Sequence, residues 1–291
     1  MYVVRRPIRI ATEAFDRFTR DDGWAIASHI ALSMLMAIFP FLIVVTALAG
    51  FFFGSQELAD EAARILLEAW PQAVAAPIAA DIAGVLTGSK GNVLTFGLLF
   101  ALYFASSGIE SLRIGLNRAY SADEPRPWWW LRIESVVYVL VGAVALLAFA
   151  FLVVLAPAIW TQLVRYFPAL APFGNLVAFA RYAVASAILV LSLMLLHLWL
   201  PAGRRRLGEI WPGIAATLAL WLIGGELFGR YLAQFSGGYV TMYAGLASVM
   251  AALVFLYICA SIFIYGGELN AAIRRTRNRR DQPPAASSTS S

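Results

Sequence analysis

The chain has 291 residues, 61% of them hydrophobic and 13% charged, with a net charge of +5 and a mean hydropathy of +0.75. Soluble domains run at about 45–50% apolar and about 25% charged, so this composition excludes one and defines an all-α polytopic membrane protein. The single cysteine, Cys259, excludes an intramolecular disulfide and a Cys-based metal site. The isoelectric point near 9.6 comes from arginines at the ends of apolar runs, where they orient helices and meet anionic lipid. A nucleic-acid surface is not needed to explain it.

Residues 1–23 form an N-terminal segment carrying Arg5, Arg6, Arg9, Arg17 and Arg20. The apolar stretch that follows, 24–53, has no small-residue cleavage pattern after a short core and reads as an uncleaved first span. Within it, SHIALSMLMAIFPFL at 28–42 places His29, Ser33, Met36 and Pro40 on one helical stripe, at steps of 4, 3 and 4. Pro40 cannot donate its backbone bond, so a kink and a hinge are expected there, and Ser33 can return its hydroxyl to the His29 carbonyl. The stripe is expected to face the bundle, with His29 and Ser33 lining an inward-facing cavity. No third partner makes a catalytic set of this serine and histidine.

Between the first and second spans, Leu58, Ala62, Ile65, Leu66 and Ala69 recur at helical spacing opposite Glu57, Asp60, Glu61, Arg64 and Glu68. This predicts an amphipathic helix on the outer surface within 54–90. Further spans are predicted near 91–109, 133–156, 173–200, 210–233 and 240–265, each long enough for about 30 Å of hydrocarbon. Trp128, Trp129 and Trp130 stand before the third as an interfacial anchor. Residues 24–273 thus make a six-span membrane domain, and 274–291 a basic, then disordered, tail.

Five basic residues fall in the N-terminal segment, four in 110–132, three in 201–209 and five in the tail, against five on the opposite side. Seventeen against five places both termini in the cytoplasm.

Inside the spans, ionisable residues are costly and each needs a partner or a wet cavity. Arg181 and Glu226 lie at matching depths, about 12 Å below the outer surface at ~1.5 Å per residue. Glu226 can pair with Arg181, with Arg230 four residues on, or face a water-filled pocket. Gly225 and Gly229, in GGELFGR, have the spacing of a close helix contact within or between subunits, the latter a route to a homo-oligomer. Glu110, Arg113, Glu134, His197 and Glu268 gather at inner helix ends, either as a polar vestibule or as ordinary headgroup-layer residues.

The chain lacks HExxH, paired CxxC and GxSxG, and GVLTGSKGN at 84–92 lacks the order of a phosphate loop. Neither a cofactor, nor a metal, nor nucleic acid is implied, and the expectation is a protein that is not an enzyme. The expected partners are membrane lipids, anionic at the cytoplasmic face.

Three ordered motifs, ALSMLMAIFPFL, SSGIESLRIGLNRAY and YICASIFIYGGELNAAI, resemble the YihY/BrkB family of bacterial inner-membrane proteins over roughly residues 20–275. The resemblance implies a six-span protein of the bacterial inner membrane. The family once carried the name ribonuclease BN, and its members are linked to serum resistance or to movement of lipid-like molecules. Its characteristic residues fall here on Ser33, Phe39 and Pro40, on Asn117, Arg118 and Tyr120, and on Gly267, Glu268, Leu269 and Asn270, none an established catalytic residue. Three functions compete: a transporter or flippase for an amphipathic envelope molecule, a non-transporting assembly scaffold, and a membrane ribonuclease. The first suits the residues best.

Overall fold

A computed structural model describes residues 2–53, 91–243 and 247–281. The described residues are helical, with no strand among them. In chain order the helices are α1 (Tyr2–Arg20), α2 (Gly23–Phe53), α3 (Gly91–Ala119), α4 (Trp128–Ala150), α5 (Ala156–Tyr166), α6 (Gly174–Trp199), α7 (Leu207–Tyr243) and α8 (Ala247–Asp281). Between α4 and α5 the chain passes through a π-helical turn at Phe151–Leu155, and Pro168–Phe173 forms a 3-10 turn before α6.

Five stretches are long and apolar enough to cross a membrane among the described residues: Gly23–Val45, Trp128–Val153, Pro168–Trp199, Leu207–Gln234 and Val249–Arg277. The helix α3 is not among them; its second half carries Glu110, Arg113, Asn117 and Arg118. The predicted outer amphipathic segment at 54–90 lies outside the described residues.

Lipid tails are as apolar as leucine, so helices in a bilayer associate through close packing and polar contacts. The centre of this bundle shows both. The helices α2, α3 and α8 pack around one another, with α7 against α8 and α4 against α3. One core joins Ile30, Leu116, Leu193, Ile214 and Ile264 from five helices, and a second joins Val44, Ala105, Val139 and Ala143. Close approach depends on glycine at one crossing in particular. A Cβ added at Gly213 of α7 would collide with the Gly266 carbonyl and the Asn270 amide of α8, and one at Gly266 would collide with the Thr217 hydroxyl.

Several boundaries and faces differ from the sequence reading. The segment before the first span is a helix whose Ala14 and Phe18 are buried, and it packs against α8, where the Tyr265 hydroxyl donates to the Ala11 carbonyl at 3.2 Å. The helix α7 runs to Tyr243, past the predicted start of the sixth span at 240, and α8 begins at Ala247. It continues through Arg274, Arg275 and Arg277 to Asp281, so the basic half of the tail is helical; 282–291 lie outside the described residues.

In α2 the stripe expected to face the bundle is divided: His29 is exposed and Met36 is 67% exposed, while Ser33 and Pro40 are half-buried. The bundle instead receives Ala27, Ile30, Ala31 and Ala37, small and branched residues that allow closer packing. The helix continues unbroken through Pro40.

Candidate functional site

The second half of α3 presents Glu110, Arg113, Asn117 and Tyr120 at steps of 3, 4 and 3, which brings them to one face. Each reaches a different neighbour, and together they tie α3 to α4, α8 and the 200–206 connection.

One turn before Asn117, the buried Arg113 donates to Glu110 at 3.1 Å, to the Leu131 carbonyl at 3.2 Å and to the Ser135 hydroxyl at 3.3 Å. The second Glu110 oxygen pairs with Arg132 at 3.2 Å, and Arg132 stacks 3.7 Å above the Tyr103 ring. On the other side of α3, the Ser111 hydroxyl lies 3.4 Å from Nε2 of His29, which links α2 to this layer.

One turn on, the Asn117 carbonyl oxygen accepts from the Ala202 N–H at 2.7 Å, and its amide donates to Glu124 at 2.9 Å. Glu124 is held at both oxygens by Arg126, at 2.7 and 2.8 Å. The same guanidinium donates to Glu134 at 2.8 Å and to the Leu200 carbonyl at 2.9 Å. Such bidentate, charge-assisted bonds are about twice as strong as neutral ones. Burial alone would raise the Glu124 carboxyl; hydrogen bonds from Arg126 and Asn117 outweigh it and hold the group down to about 2. The same contacts keep Arg126 above the ordinary arginine range.

At the end of α3 the buried Tyr120 hydroxyl lies 2.9 Å from Nδ1 of His197 and accepts from the Asn270 amide at 3.2 Å. The Asn270 carbonyl oxygen accepts the Gly213 N–H at 2.6 Å, which sets the orientation of that amide. The phenol proton therefore points to His197, assigning the ring hydrogen to Nε2, a buried atom without a hydrogen-bond partner. Burial pushes the Tyr120 phenol up to about 12, so it remains a donor at neutral pH. Arg205 covers its ring at 4.0 Å while donating to the carbonyls of Pro201, Ala202 and Gly203. Burial lowers the affinity of this guanidinium for its proton.

The remaining sequence candidates divide. Arg118 points outward and meets Asp22 at 3.7 Å in an exposed pair, a kind worth about 0–1 kcal/mol. Both border an open cleft of about 680 Å³ with Asp21, Asn117 and Asp123. Glu268 is 1% exposed and pairs with Arg275 at 3.6 Å, beyond hydrogen-bond reach. Ser33 and Pro40 of α2 are half-buried and belong to none of these clusters.

Glu226 pairs with Arg230 at 2.7 Å and not with Arg181, and both partners are exposed on α7. Of the three options the sequence leaves open, the local one is taken, since four residues along one helix suffice to pair the two side chains without a neighbouring helix. Arg181 has a buried Nε without a hydrogen-bond partner and stacks its guanidinium 4.6 Å from the Tyr182 ring. At Gly225 and Gly229 an added Cβ would meet nothing within 4 Å among the described residues, so neither packs against one of them.

Three network residues escaped the sequence reading as candidates: Arg126, Arg132 and Arg205. Their only signal was position in loops rich in basic residues. In the network each carboxylate is occupied by an arginine, so the arrangement binds elements together; none of Glu110, Glu124 and Glu134 stands free to act as a base. Among the described residues no cluster of three or more His, Cys, Asp or Glu side chains has the arrangement of a metal site.

Long apolar helices tied at one end by a buried ionic network define a multi-pass helical membrane protein. Residues 14–289 match the family described as virulence factor BrkB, so the chain belongs to the BrkB/YihY family. It is similar to the ribonuclease-like protein YfkH of Bacillus subtilis (strain 168), at 25% identity over 94% of this chain and 98% of that one. It is also similar to a UPF0761 membrane protein of Rhodospirillum centenum, at 25% identity over 93% of this chain and 58% of the relative. No solved structure matches.

Proposed function

We propose that this chain is a six-span protein of the bacterial inner membrane that moves a lipid or another amphipathic envelope molecule. The helix α3, 29 residues and about 44 Å long, supplies the sixth crossing. The excess of basic residues at the end holding Arg126, Arg205 and Arg274 puts that end, and both termini, in the cytoplasm. Anionic lipid is the partner there.

The observation that carries the reading is the Glu226–Arg230 pair, which stands exposed on α7 beside the equally exposed Leu222, Ile223 and Leu227. A charged side chain within a span costs about 2.5–3.5 kcal/mol on insertion scales. The pairing of the two side chains offsets part of that cost and a passing polar headgroup offsets more; hydrocarbon offsets none. No enzymatic step is proposed. A ribonuclease would need free carboxylates for metal, and Glu110 and Glu124 are held by Arg113, Arg132 and Arg126.

The face at Gly225 and Gly229, open among the described residues, favours a second reading, in which another helix covers it and the protein is an assembly scaffold or homo-oligomer. Liposomes of phosphatidylethanolamine and phosphatidylglycerol carrying a fluorescent phospholipid separate the two. The wild-type chain should accelerate exposure of inner-leaflet label to an impermeant quencher, and Glu226→Gln should slow it at least fivefold. No acceleration, at a density where a control flippase works, removes the transport reading. A co-purifying protein with tolerance of Glu226→Gln supports the scaffold.

A further inference from the structure

The amide of Pro157 has no hydrogen and cannot bond the Val153 carbonyl, so the helix after α4 cannot continue with regular i to i−4 bonds. It widens instead: the Ala156 N–H reaches back five residues to the Phe151 carbonyl, closing the π turn at Phe151–Leu155. Such turns bulge a helix away from its neighbours and recur at functional sites. Here α4 and α6 touch only sparsely. Between them lies a groove of about 480 Å³, within the usual range of small-molecule sites of about 300–1,000 Å³. Leu147, Phe151 and Leu152 form one wall, Val184 and Ile188 the other, and the lining is almost wholly apolar. Water has no partners there.

Arg181 precedes Val184 and Ile188 on the same stripe of α6, at steps of 3 and 4. Arg181 does not itself line the groove; it stands one turn before Val184, and since side chains on a helix lean toward its N-terminus, its guanidinium is directed from that end of the groove toward Gly174. It has no carboxylate within ion-pair distance among the described residues, and its Nε is buried without a hydrogen-bond partner. The Tyr182 ring supports its plane. A planar cation left in this state at the end of an apolar groove matches a phosphate diester, which accepts two parallel N–H bonds, joined to a hydrocarbon chain.

We propose that the α4–α6 groove holds an acyl chain of an anionic membrane phospholipid whose phosphate is bound by Arg181. The seven residues from Arg181 to Ile188 span about 10 Å, enough for the upper part of a chain descending from its headgroup. The site goes beyond the transport reading, since a resident lipid there needs no passage across the bilayer.

The test is native mass spectrometry of the full chain extracted from bilayers of phosphatidylethanolamine and phosphatidylglycerol. The wild type should retain phosphatidylglycerol preferentially, Arg181→Gln should lower that retention at least fivefold, and Arg181→Lys should keep at least half of it. Ile188→Trp, which fills the groove, should lower retention of both lipids. Equal retention of phosphatidylglycerol by wild type and Arg181→Gln overturns the proposal. So does wild-type retention by Ile188→Trp, which decides the matter if Arg181→Gln fails to fold. Retention without translocation in liposomes keeps this site and removes the transport reading; translocation without retention does the reverse.

Discussion

Arg126 joins the loop before α4, α4 itself and the end of α6, bonding Glu124, Glu134 and the Leu200 carbonyl. Its pull on Glu124 has a pH signature. The Glu124 carboxyl titrates at about 2 in the folded chain, against an ordinary value of 4.5. A lowered value means that the clamp's contribution is complete above about pH 4.5 and is lost as pH falls toward about 2. Fluorescence of Trp128, Trp129 and Trp130, two to four residues from Arg126, should therefore change over that interval, and Glu124→Gln should flatten the change. An acid limb unaltered in Glu124→Gln would assign it to another group. At this scale the sequence was partly legible. Asn117, Tyr120 and Asn270 stood out through motifs, and two of them meet across 150 positions in a 3.2 Å bond. Arg126 did not stand out, because what distinguishes it is a carbonyl and a carboxylate that only folding brings near. Glu226 and Arg230 were readable as one option, since an i, i+4 pair needs no tertiary contact.

Among the elements, α7 and α8 meet where neither has a side chain. Gly266→Val should disrupt this crossing, because the new Cβ would overlap the Thr217 hydroxyl and approach the Gly213 carbonyl at 3.0 Å. Overpacking of this kind costs about 1–3 kcal/mol. It should appear as a lowered thermal midpoint in detergent, whereas Gly142→Val, at an open position, should leave the midpoint nearly unchanged. Equal effects would show that the crossing is not tight. Helix existence followed from hydropathy in α2, α4, α6 and α7. Helix facing did not: in α2, His29 and Met36 form a regular stripe, yet the bundle takes the side with alanines. A stripe shows which residues share a face; close packing decides which face turns inward. The π turn was not readable as such either, although Pro157 is its cause. Proline removes a bond wherever it stands, and the neighbours determine whether the ladder widens into a π turn, as before Pro157, or stays α-helical, as around Pro40 in α2.

For the whole molecule, orientation is the property most open to direct test. In a Cys259→Ala background, a cysteine at Tyr166→Cys should react with an impermeant maleimide added outside intact cells. One at Ser121→Cys should react only after the membrane is opened; the reverse pattern would invert the proposed topology. Composition and hydropathy alone determined that this is a multi-pass helical membrane protein, because a bilayer imposes length and polarity on each crossing segment without reference to its neighbours. Ordered motifs were enough to indicate the family. Only the tertiary structure decided that the carboxylates at the polar end are held by arginines, that the Glu226–Arg230 pair faces outward, and that Arg181, one turn before the Val184 wall of an apolar groove, has no carboxylate partner among the described residues. Those outcomes depend on which faces the fold covers and on contacts such as that of Arg126 with the Leu200 carbonyl, 74 positions away. Hydropathy is a sum over neighbours in sequence and contains neither.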